Sequence, residues 1–364
     1  MNKLLYYKPR IVNDVENYDL PGIKKFSHFF KIFAHDVVIV DRTKTIKVPV
    51  HTKILFPIPK FRLMSKTYEE ICNERAIELL NKADTMKVSL CVFYSGGIDS
   101  TLVMVSLLKN ATEEQKKNIV VLLSEESISE NPNFYKEYIQ GKLKVESSAN
   151  FPYIVGTNAL LVTGEHNDQL FGSDAVGNLM RIFGEEIINK PYDRNLFIKF
   201  FNTIENDIEM NTFYVDLFEK LCANAPVQIK TNFQFLWWIN FSLKWQTVFM
   251  RVLVFTANRN VSKITPEYIS TNYFTFYNTE DFQLWSMNNL DKRIKNTWSS
   301  YKWVCKDIIY EYTKDADYRD NKTKVGSLAK IMIGSGSYNF IDDAYHFYKE
   351  LPVEEYYNED NDFV

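Results

Sequence analysis

The fold is decided by residues 88–100, which read VSLCVFYSGGIDS. The first seven form a nearly continuous apolar run, typical of a strand buried on both faces of a parallel sheet. A helix is expected from Thr101 to Lys109, and two further apolar runs, at 119–123 and 159–163, predict two more buried strands. Alternation of strands and helices predicts an α/β fold with a doubly wound parallel sheet.

Residues 1–64 differ from the rest of the chain. Short apolar runs at 37–40, 46–50 and 54–56 are separated by turn-forming residues and by proline, which breaks any helical pattern. We therefore expect a small β-rich amino-terminal appendage that packs on the main domain.

A capping-box pattern marks the start of the main domain. Thr67 is followed three residues later by Glu70, so a helix is expected to begin near Thr67. From about residue 175 the sequence reads as mostly helical, and from residue 350 it is acidic with no basic residue. We predict three parts: the appendage (1–64), the main domain with its helical carboxyl-terminal part (65–349) and a frayed acidic tail (350–364).

Composition and charge limit the class of protein. The chain of 364 residues is 15% aromatic and contains only 12 Gly and 11 Pro, which excludes collagen-like and low-complexity architectures. Its net charge of −3 argues against nucleic acid as a partner. Its four cysteines form no C-x-x-C pair and no secretory leader is recognised, so we expect a cytoplasmic protein. The most apolar stretch, 233–255, carries polar and charged residues and predicts a buried helix, with no membrane partner.

The loop after the first predicted strand suits a phosphate group. A tight turn on Gly96 and Gly97 lets backbone N–H groups approach an anion without interference from a Cβ atom, and the helix start adds its own N–H donors. Ser95 and Ser100 can donate hydroxyls. The Asp99 carboxylate would repel phosphate unless a cation joins them, which predicts Mg²⁺. The alternative is an ordinary Gly-Gly turn with a capping side chain, and the ending of a Walker A loop is absent.

With SGGIDS at 95–100, the chain resembles the PP-loop ATP pyrophosphatase superfamily, whose members cleave ATP between the α and β phosphates. Residues 164–172, GEHNDQLFG, follow the third predicted strand and resemble the G-E-x-x-D-E-L-F-G segment of asparagine synthetases and β-lactam synthetases. Gln169 and His166 depart from that segment. The resemblance implies that Asp168 joins Asp99 in holding magnesium and pyrophosphate, whereas a plain helix N-cap is the alternative for Asp168.

The resemblance also implies a set of site residues. The nucleotide-binding residues would be Ser95, Gly96, Gly97, Asp99, Ser100, Leu123 and Gly164. The metal ligands would be Asp99 and Asp168, and the catalytic residues Glu165, Lys322 and Lys324. The two lysines lie in a basic cluster at 319–324 that resembles the region where family members place a lysine over the acyl-adenylate. The alternative for this cluster is a solvated charged loop.

Three departures limit what the resemblance implies about the substrates. One is FQLWSM at 282–287, which lies where the family continues its substrate side but lacks the family's residues. The chain begins MNK rather than with the catalytic cysteine of asparagine synthetases, so a glutamine-cleaving half is not expected. The R-x-D-R-x-S-M-A stretch of the aspartate-binding half is also absent, and SLKWQT stands at 242–247, its approximate place.

The implied function is an ATP-dependent amide-forming ligase with ATP and Mg²⁺ as cofactors. It would adenylate a carboxylate substrate for attack by ammonia, by ammonia from a separate glutaminase, or by an amine. Two alternatives stay open. One is another PP-loop chemistry on a nucleotide or nucleobase, as in 7-cyano-7-deazaguanine synthase or a tRNA-modifying enzyme. The other is a catalytically inactive ATP-binding module.

Overall fold

The computed structural model describes residues 3–7, 22–34, 39–172, 174–323 and 338–358. The chain divides into two compact units, each assembled from separate stretches. The parallel-sheet unit comprises residues 62–167 and 255–335, and the mixed unit comprises residues 1–61, 168–254 and 336–364. The three-part division expected from sequence stays a prediction.

The described residues contain eight strands in two sheets. The strands are β1 (Leu4–Tyr7), β2 (Ser89–Phe93), β3 (Ile119–Leu123), β4 (Lys144–Ser147), β5 (Ala159–Thr163), β6 (Tyr273–Thr275), β7 (Phe340–Asp342) and β8 (Phe347–Tyr348). Five of them form a parallel sheet in the order β4-β3-β2-β5-β6. The other three form an antiparallel sheet in the order β1-β7-β8. The fold is α/β, and the five-stranded sheet is compatible with the doubly wound arrangement.

Helices make up most of the remaining described chain. The α-helices are α1 (Ile23–Phe29), α2 (Tyr68–Met86), α3 (Ile98–Asn110), α4 (Glu113–Lys117), α5 (Glu125–Glu130), α6 (Pro132–Phe134), α7 (Phe151–Ile154), α8 (Asn167–Phe171), α9 (Asp174–Phe183), α10 (Arg194–Asn202), α11 (Ile208–Ala223), α12 (Asn232–Leu243), α13 (Trp245–Asn260), α14 (Pro266–Asn272), α15 (Glu280–Asn288), α16 (Trp303–Thr313), α17 (Ala316–Asn321) and α18 (Val353–Tyr356). Shorter π and 3₁₀ turns lie at Phe30–Ala34, Tyr135–Ile139, Ser148–Asn150, Glu185–Asn189, Val261–Lys263 and Trp298–Ser300.

The three central strands confirm the sequence prediction. β2, β3 and β5 fall on the predicted apolar runs, and nearly all of their residues are buried. They pair in parallel, with Leu90 opposite Leu160 in β5 and opposite Ile119 in β3. The edge strands β4 and β6 were not predicted, because β4 is exposed along its whole length and β6 has only three residues.

The helix after residue 67 also confirms its prediction. The Thr67 hydroxyl accepts a hydrogen bond from the Glu70 N–H, and the Glu70 carboxylate accepts one from the Thr67 N–H. Together these contacts satisfy two backbone donors that the first turn of a helix leaves without partners. The helix ends at Met86, and its C-cap, Lys87, adopts a left-handed conformation with φ +54°.

Two of the strands predicted within residues 1–64 are absent from the described part of that segment, which holds one strand, β1. Residues 46–50 and 54–56 are not strands, and residues 37–38 lie outside the described chain. The carboxylate of Asp41 accepts hydrogen bonds from the backbone N–H groups of Thr43, Thr45 and Ile46. These bonds hold the chain in a turn and occupy the donors that a strand ladder would use.

The apolar stretch 233–255 folds as two helices, α12 and α13, where a single buried helix was predicted. Lys244 separates them. Trp237, Trp238 and Trp245 are fully buried, so they belong to the core of the mixed unit. Within the described part of the chain, no helix combines the length and the apolar character needed to cross a lipid bilayer.

The predicted frayed tail begins with ordered structure. Residues 353–356 form α18, and Tyr356 is buried against the ring of Phe340. The His51 N–H donates to the Tyr356 carbonyl at 2.9 Å. Burial of one tyrosine and this backbone pairing hold residues 350–358 on the mixed unit, and residues 359–364 lie outside the described chain.

Candidate functional site

The loop at 95–100 lies at the carboxyl end of the central strand of the parallel sheet. β3 and β4 lie on one side of β2, and β5 and β6 lie on the other, so the strand order reverses between β2 and β5. In open α/β sheets, ligands bind in the crevice at this reversal. Gly164 follows β5 on the other side of it, and a Cβ atom there would lie 3.2 Å from the backbone nitrogen of Ser100. The residue that follows β5 therefore packs against the backbone of the first turn of α3.

The two glycines of the loop have different roles. Gly96 has φ +78°, and a Cβ atom on it would lie 2.3 Å from the carbonyl oxygen of Ser127. Gly97 has φ −73° and precedes α3, and a Cβ atom there would be 3.4 Å from the Glu130 Oε1 and Ser95 Oγ atoms. The fold therefore requires glycine at 96, whereas glycine at 97 leaves the space in front of the loop open.

The two serines close the loop. Their hydroxyl oxygens lie 3.0 Å apart, and the Ser100 hydroxyl accepts from the Ser95 N–H at 3.1 Å. The Gly97 N–H reaches the Ser95 hydroxyl only at 3.4 Å, which is a weak hydrogen bond. Because the first N–H groups of α3 have no partner within the helix, the loop offers several backbone and hydroxyl donors at one place.

Asp99 is held by side chains that the sequence did not single out. The Lys302 ammonium lies 2.6 and 2.7 Å from its two carboxylate oxygens, and the Asn167 amide donates to one of them at 2.6 Å. The Tyr277 hydroxyl donates to the Asp99 backbone carbonyl at 2.8 Å. Lys302 is 1% exposed and Asp99 is 25% exposed, so the pair is buried on the lysine side and partly open on the carboxylate side.

Two buried tyrosine hydroxyls, of Tyr68 and Tyr277, support Asn167 and Asp99 respectively. The Tyr68 hydroxyl donates to the Asn167 side-chain oxygen. Burial raises the pKa of Tyr68 and of Tyr277 well above the usual value, so both hydroxyls remain protonated donors at neutral pH. Burial also raises the pKa of the neighbouring Cys305 thiol to about 12. This thiol is therefore a packing group rather than a nucleophile.

The contacts of Asp99 do not fit a magnesium ion bound directly to its carboxylate, because the Lys302 ammonium already neutralises both oxygens. Among the residues that the structure describes, no group of three or more His, Cys, Asp or Glu side chains could hold a metal ion. The assignment of magnesium to Asp99 and Asp168 stays a prediction, and no chemical step is derived through the ion.

The segment 164–168 crosses from one unit to the next. Glu165 is 6% exposed and His166 is 1% exposed, with φ +78° at His166. Asp168 belongs to the mixed unit, where its backbone carbonyl accepts from the Gly172 N–H and from the Asn240 amide. The predicted roles of Glu165 in catalysis and of Asp168 as a metal ligand stay predictions.

The structure brings Lys322 close to the loop through a carboxylate. The Lys322 ammonium lies 3.1 Å from Glu130 Oε1, the atom nearest to the position of a Cβ on Gly97, and it also donates to the Glu130 carbonyl. Both side chains are largely buried. Leu123 ends β3 and is buried. Lys324 lies outside the described residues.

The residues around Asp99 were missed for different reasons. Asn167 lies inside the segment 164–172, so its position gave a signal that was not used. Lys302 lies 203 residues from Asp99 in no recognisable motif. Lys302 and Asp99 come into contact only in the folded chain.

The SLKWQT stretch at 242–247 has a structural use in the mixed unit. The Gln246 amide donates to the Lys53 carbonyl at 2.7 Å and accepts from the Leu55 N–H at 2.6 Å. These bonds hold residues 53–55 in place, and these residues form no strand ladder of their own.

No protein-family model and no curated protein matches the chain.

Proposed function

We propose that the chain is an ATP-dependent ligase that adenylates a carboxylate, releases pyrophosphate and forms an amide with ammonia or an amine. The observation that carries the proposal is the loop 95–100 at the carboxyl end of the central parallel strand, where the strand order reverses. The resemblance of 95–100 and 164–172 to the asparagine synthetase segments supports the choice of chemistry.

The loop would bind the phosphates of ATP. The Gly97 N–H and the first N–H groups of α3 are donors for phosphate oxygens, and the positive end of the helix dipole adds to the attraction. The hydroxyls of Ser95 and Ser100 can turn to the ligand, at the cost of their mutual contact of 3.0 Å and of the hydrogen bond of 3.2 Å that the Ser100 hydroxyl donates to the Gly97 carbonyl. Gly97 matters because any larger side chain would fill the space that the phosphate needs.

The reaction would proceed in two steps that balance. A carboxylate oxygen attacks the α-phosphorus, the bond from that phosphorus to the bridging oxygen breaks, and pyrophosphate leaves. The amine nitrogen then attacks the acyl carbon, the bond from that carbon to the AMP oxygen breaks, AMP leaves, and the nitrogen gives up a proton to water. Adenylation is needed because a carboxylate alone would have to expel oxide.

Lysines would stabilise the negative charge that develops in these steps. Lys322 is held beside the loop by Glu130, and its ammonium is the proposed cation for the acyl-adenylate. Lys302 offsets the charge of Asp99, which would otherwise repel the phosphates. The reaction would take place in a reducing, cytoplasmic compartment, because the four cysteines are free thiols.

A specific observation also favours an ATP-binding module without catalysis. The Asp99 carboxylate, which the resemblance assigns to a metal, is paired with Lys302 in the described arrangement. A module of this kind would bind ATP at the same loop and release no pyrophosphate.

Pyrophosphate release separates these functions. We expect the purified chain, given ATP, magnesium chloride and a panel of carboxylic acids with or without ammonia, to release pyrophosphate and AMP with at least one acid. Mass analysis should show AMP and an amide, and Gly97→Val should abolish both. ADP with inorganic phosphate would contradict the proposed bond cleavage. Bound ATP with no product for any acid would instead support the binding module.

A further inference from the structure

A cavity of about 370 Å³ lies beside the start of α16 in the parallel-sheet unit. Its walls include Ser299, Trp303, Lys306 and Arg319. This volume lies at the small end of the range for ligand pockets. None of these residues belongs to the loop at 95–100, so the cavity is a separate feature of the unit.

Lys306 is a buried ammonium with too few partners. It is 1% exposed, and it donates one hydrogen bond, to the Ser299 carbonyl. An ammonium has three N–H donors, and no carboxylate of the described chain lies within ion-pair distance of this one. A buried charge without a counter-ion is unfavourable. Burial accordingly lowers the pKa of Lys306 to about 8.

A second donor on the cavity wall is also unsatisfied. The indole nitrogen of Trp303 is buried and has no hydrogen-bond partner among the described residues. Indole can only donate, so it needs an acceptor. Lys306 and Trp303 lie three positions apart on α16, which places them on neighbouring parts of one helix face.

The net charge of the side chains that line the cavity indicates the charge of the anion that fits it. Three basic and two acidic side chains line the cavity: Lys295, Lys306, Arg319, Asp307 and Asp320. Arg319 is already paired with Asp320 through contacts of 2.7 and 3.1 Å. The balance is a single positive charge, which matches a monoanion rather than a polyphosphate.

We propose that this cavity binds the carboxylate group of a small molecule through the Lys306 ammonium and the Trp303 indole N–H. Lys302, the N-cap of α16, lies one turn before Lys306 and contacts Asp99. The proposed carboxylate site and the Asp99 pair are therefore attached to consecutive turns of the same helix. That this acid is the one to be adenylated rests on the proposed function, whereas the carboxylate site itself does not.

Direct binding tests the site without any reaction. Acetate, aspartate and benzoate are titrated into the full chain without ATP, with inorganic phosphate as a competing anion, and heat is measured by calorimetry. We expect at least one carboxylate to bind more tightly than phosphate. Lys306→Met should weaken it about 10- to 100-fold, because a hydrogen-bonded charge is lost. Trp303→Phe keeps the ring and removes the N–H, and it should weaken binding several-fold.

Lys314→Met is the matched control, because Lys314 lies just past the other end of α16 and forms an exposed ion pair with Glu311 of the same helix. It should leave carboxylate binding unchanged. Carboxylate affinity that is equal in wild type and Lys306→Met, tighter binding of phosphate, or no binding of any carboxylate would each overturn the proposal. ATP affinity is measured on the same samples. Lys306→Met should retain it, so failure of this site is distinguishable from failure of the loop.

The pH dependence gives a second readout. Lys306 loses its proton as pH rises through about 8, so carboxylate affinity should fall roughly tenfold between pH 7 and pH 9. The charged groups around Lys306 are Asp307 on its own helix, Asp320, Arg319, Lys295 and Lys322, besides the Cys305 thiol, whose pKa of about 12 keeps it neutral. An affinity that is flat over this range would contradict binding to the Lys306 ammonium.

Discussion

Lys302→Met is expected to destabilise the chain by about 3 kcal/mol at pH 7, because it leaves the Asp99 carboxylate without its counter-ion. Methionine matches the length of the lysine stem, so the loss is electrostatic rather than a cavity effect. The lysine is 1% exposed, and its ammonium lies 2.6 Å from one Asp99 oxygen. Urea unfolding followed by tryptophan fluorescence measures the change.

The control for this variant is Lys314→Met. Lys314 shares the left-handed backbone of Lys302, with φ +59° at both, and it also forms an ion pair. That pair is exposed, so its removal should cost no more than about 0.5 kcal/mol. Adding Asp99→Asn to Lys302→Met should recover part of the loss, since it removes the unpaired charge. Equal costs for the two lysine variants would contradict the buried pair.

Gly96→Ala is expected to lower the free energy of unfolding by at least about 3 kcal/mol, from backbone strain and steric overlap together. The backbone at Gly96 has φ +78°, and the added methyl group would meet the Ser127 carbonyl at 2.3 Å. This carbonyl belongs to the backbone of helix α5, so it cannot move aside as a flexible side chain can. The residues of α5 would have to shift away from the loop.

Gly141→Ala separates the two contributions to the Gly96 result. Gly141 has φ +71°, and a Cβ atom on it would meet nothing within 4 Å. This variant should therefore cost only about 1 kcal/mol, the strain of the backbone alone. Similar losses for Gly96→Ala and Gly141→Ala would show that the loop does not pack on Ser127.

The three central strands could be predicted from the sequence because each strand carries its own apolar run. β2, β3 and β5 are buried on both faces, so their apolar runs are visible without knowledge of the partners. β4 is exposed along its length and has no such run. The apolar run at 46–50 failed as a strand because the Asp41 carboxylate accepts from the N–H groups of Ile46, its first residue, and of Thr45 just before it, a competition that hydrophobicity does not register.

The part of the candidate site that lies in one short segment was predicted from the sequence. The contacts between residues far apart in the sequence were missed. Ser95, Gly96, Gly97 and Ser100 form one turn, and their residue types alone indicate a donor-rich loop. Lys302 reaches Asp99 from a position 203 residues away, and nothing in the sequence around Lys302 indicates that pairing. Magnesium was predicted to relieve the charge of Asp99, and the structure shows a lysine side chain that offsets the same charge.

The most direct test of the central claim is calorimetric titration of ATP, with magnesium chloride, into wild type and Gly97→Val. Wild type should bind ATP, and the variant should bind it at least about 100-fold more weakly, because a branched side chain fills the space in front of the phosphate donors. Thr112→Val is the control, since it puts valine at the N-cap of the exposed helix α4 and should keep full affinity. Unchanged ATP affinity in a folded Gly97→Val protein, or no ATP binding by wild type, would contradict the account.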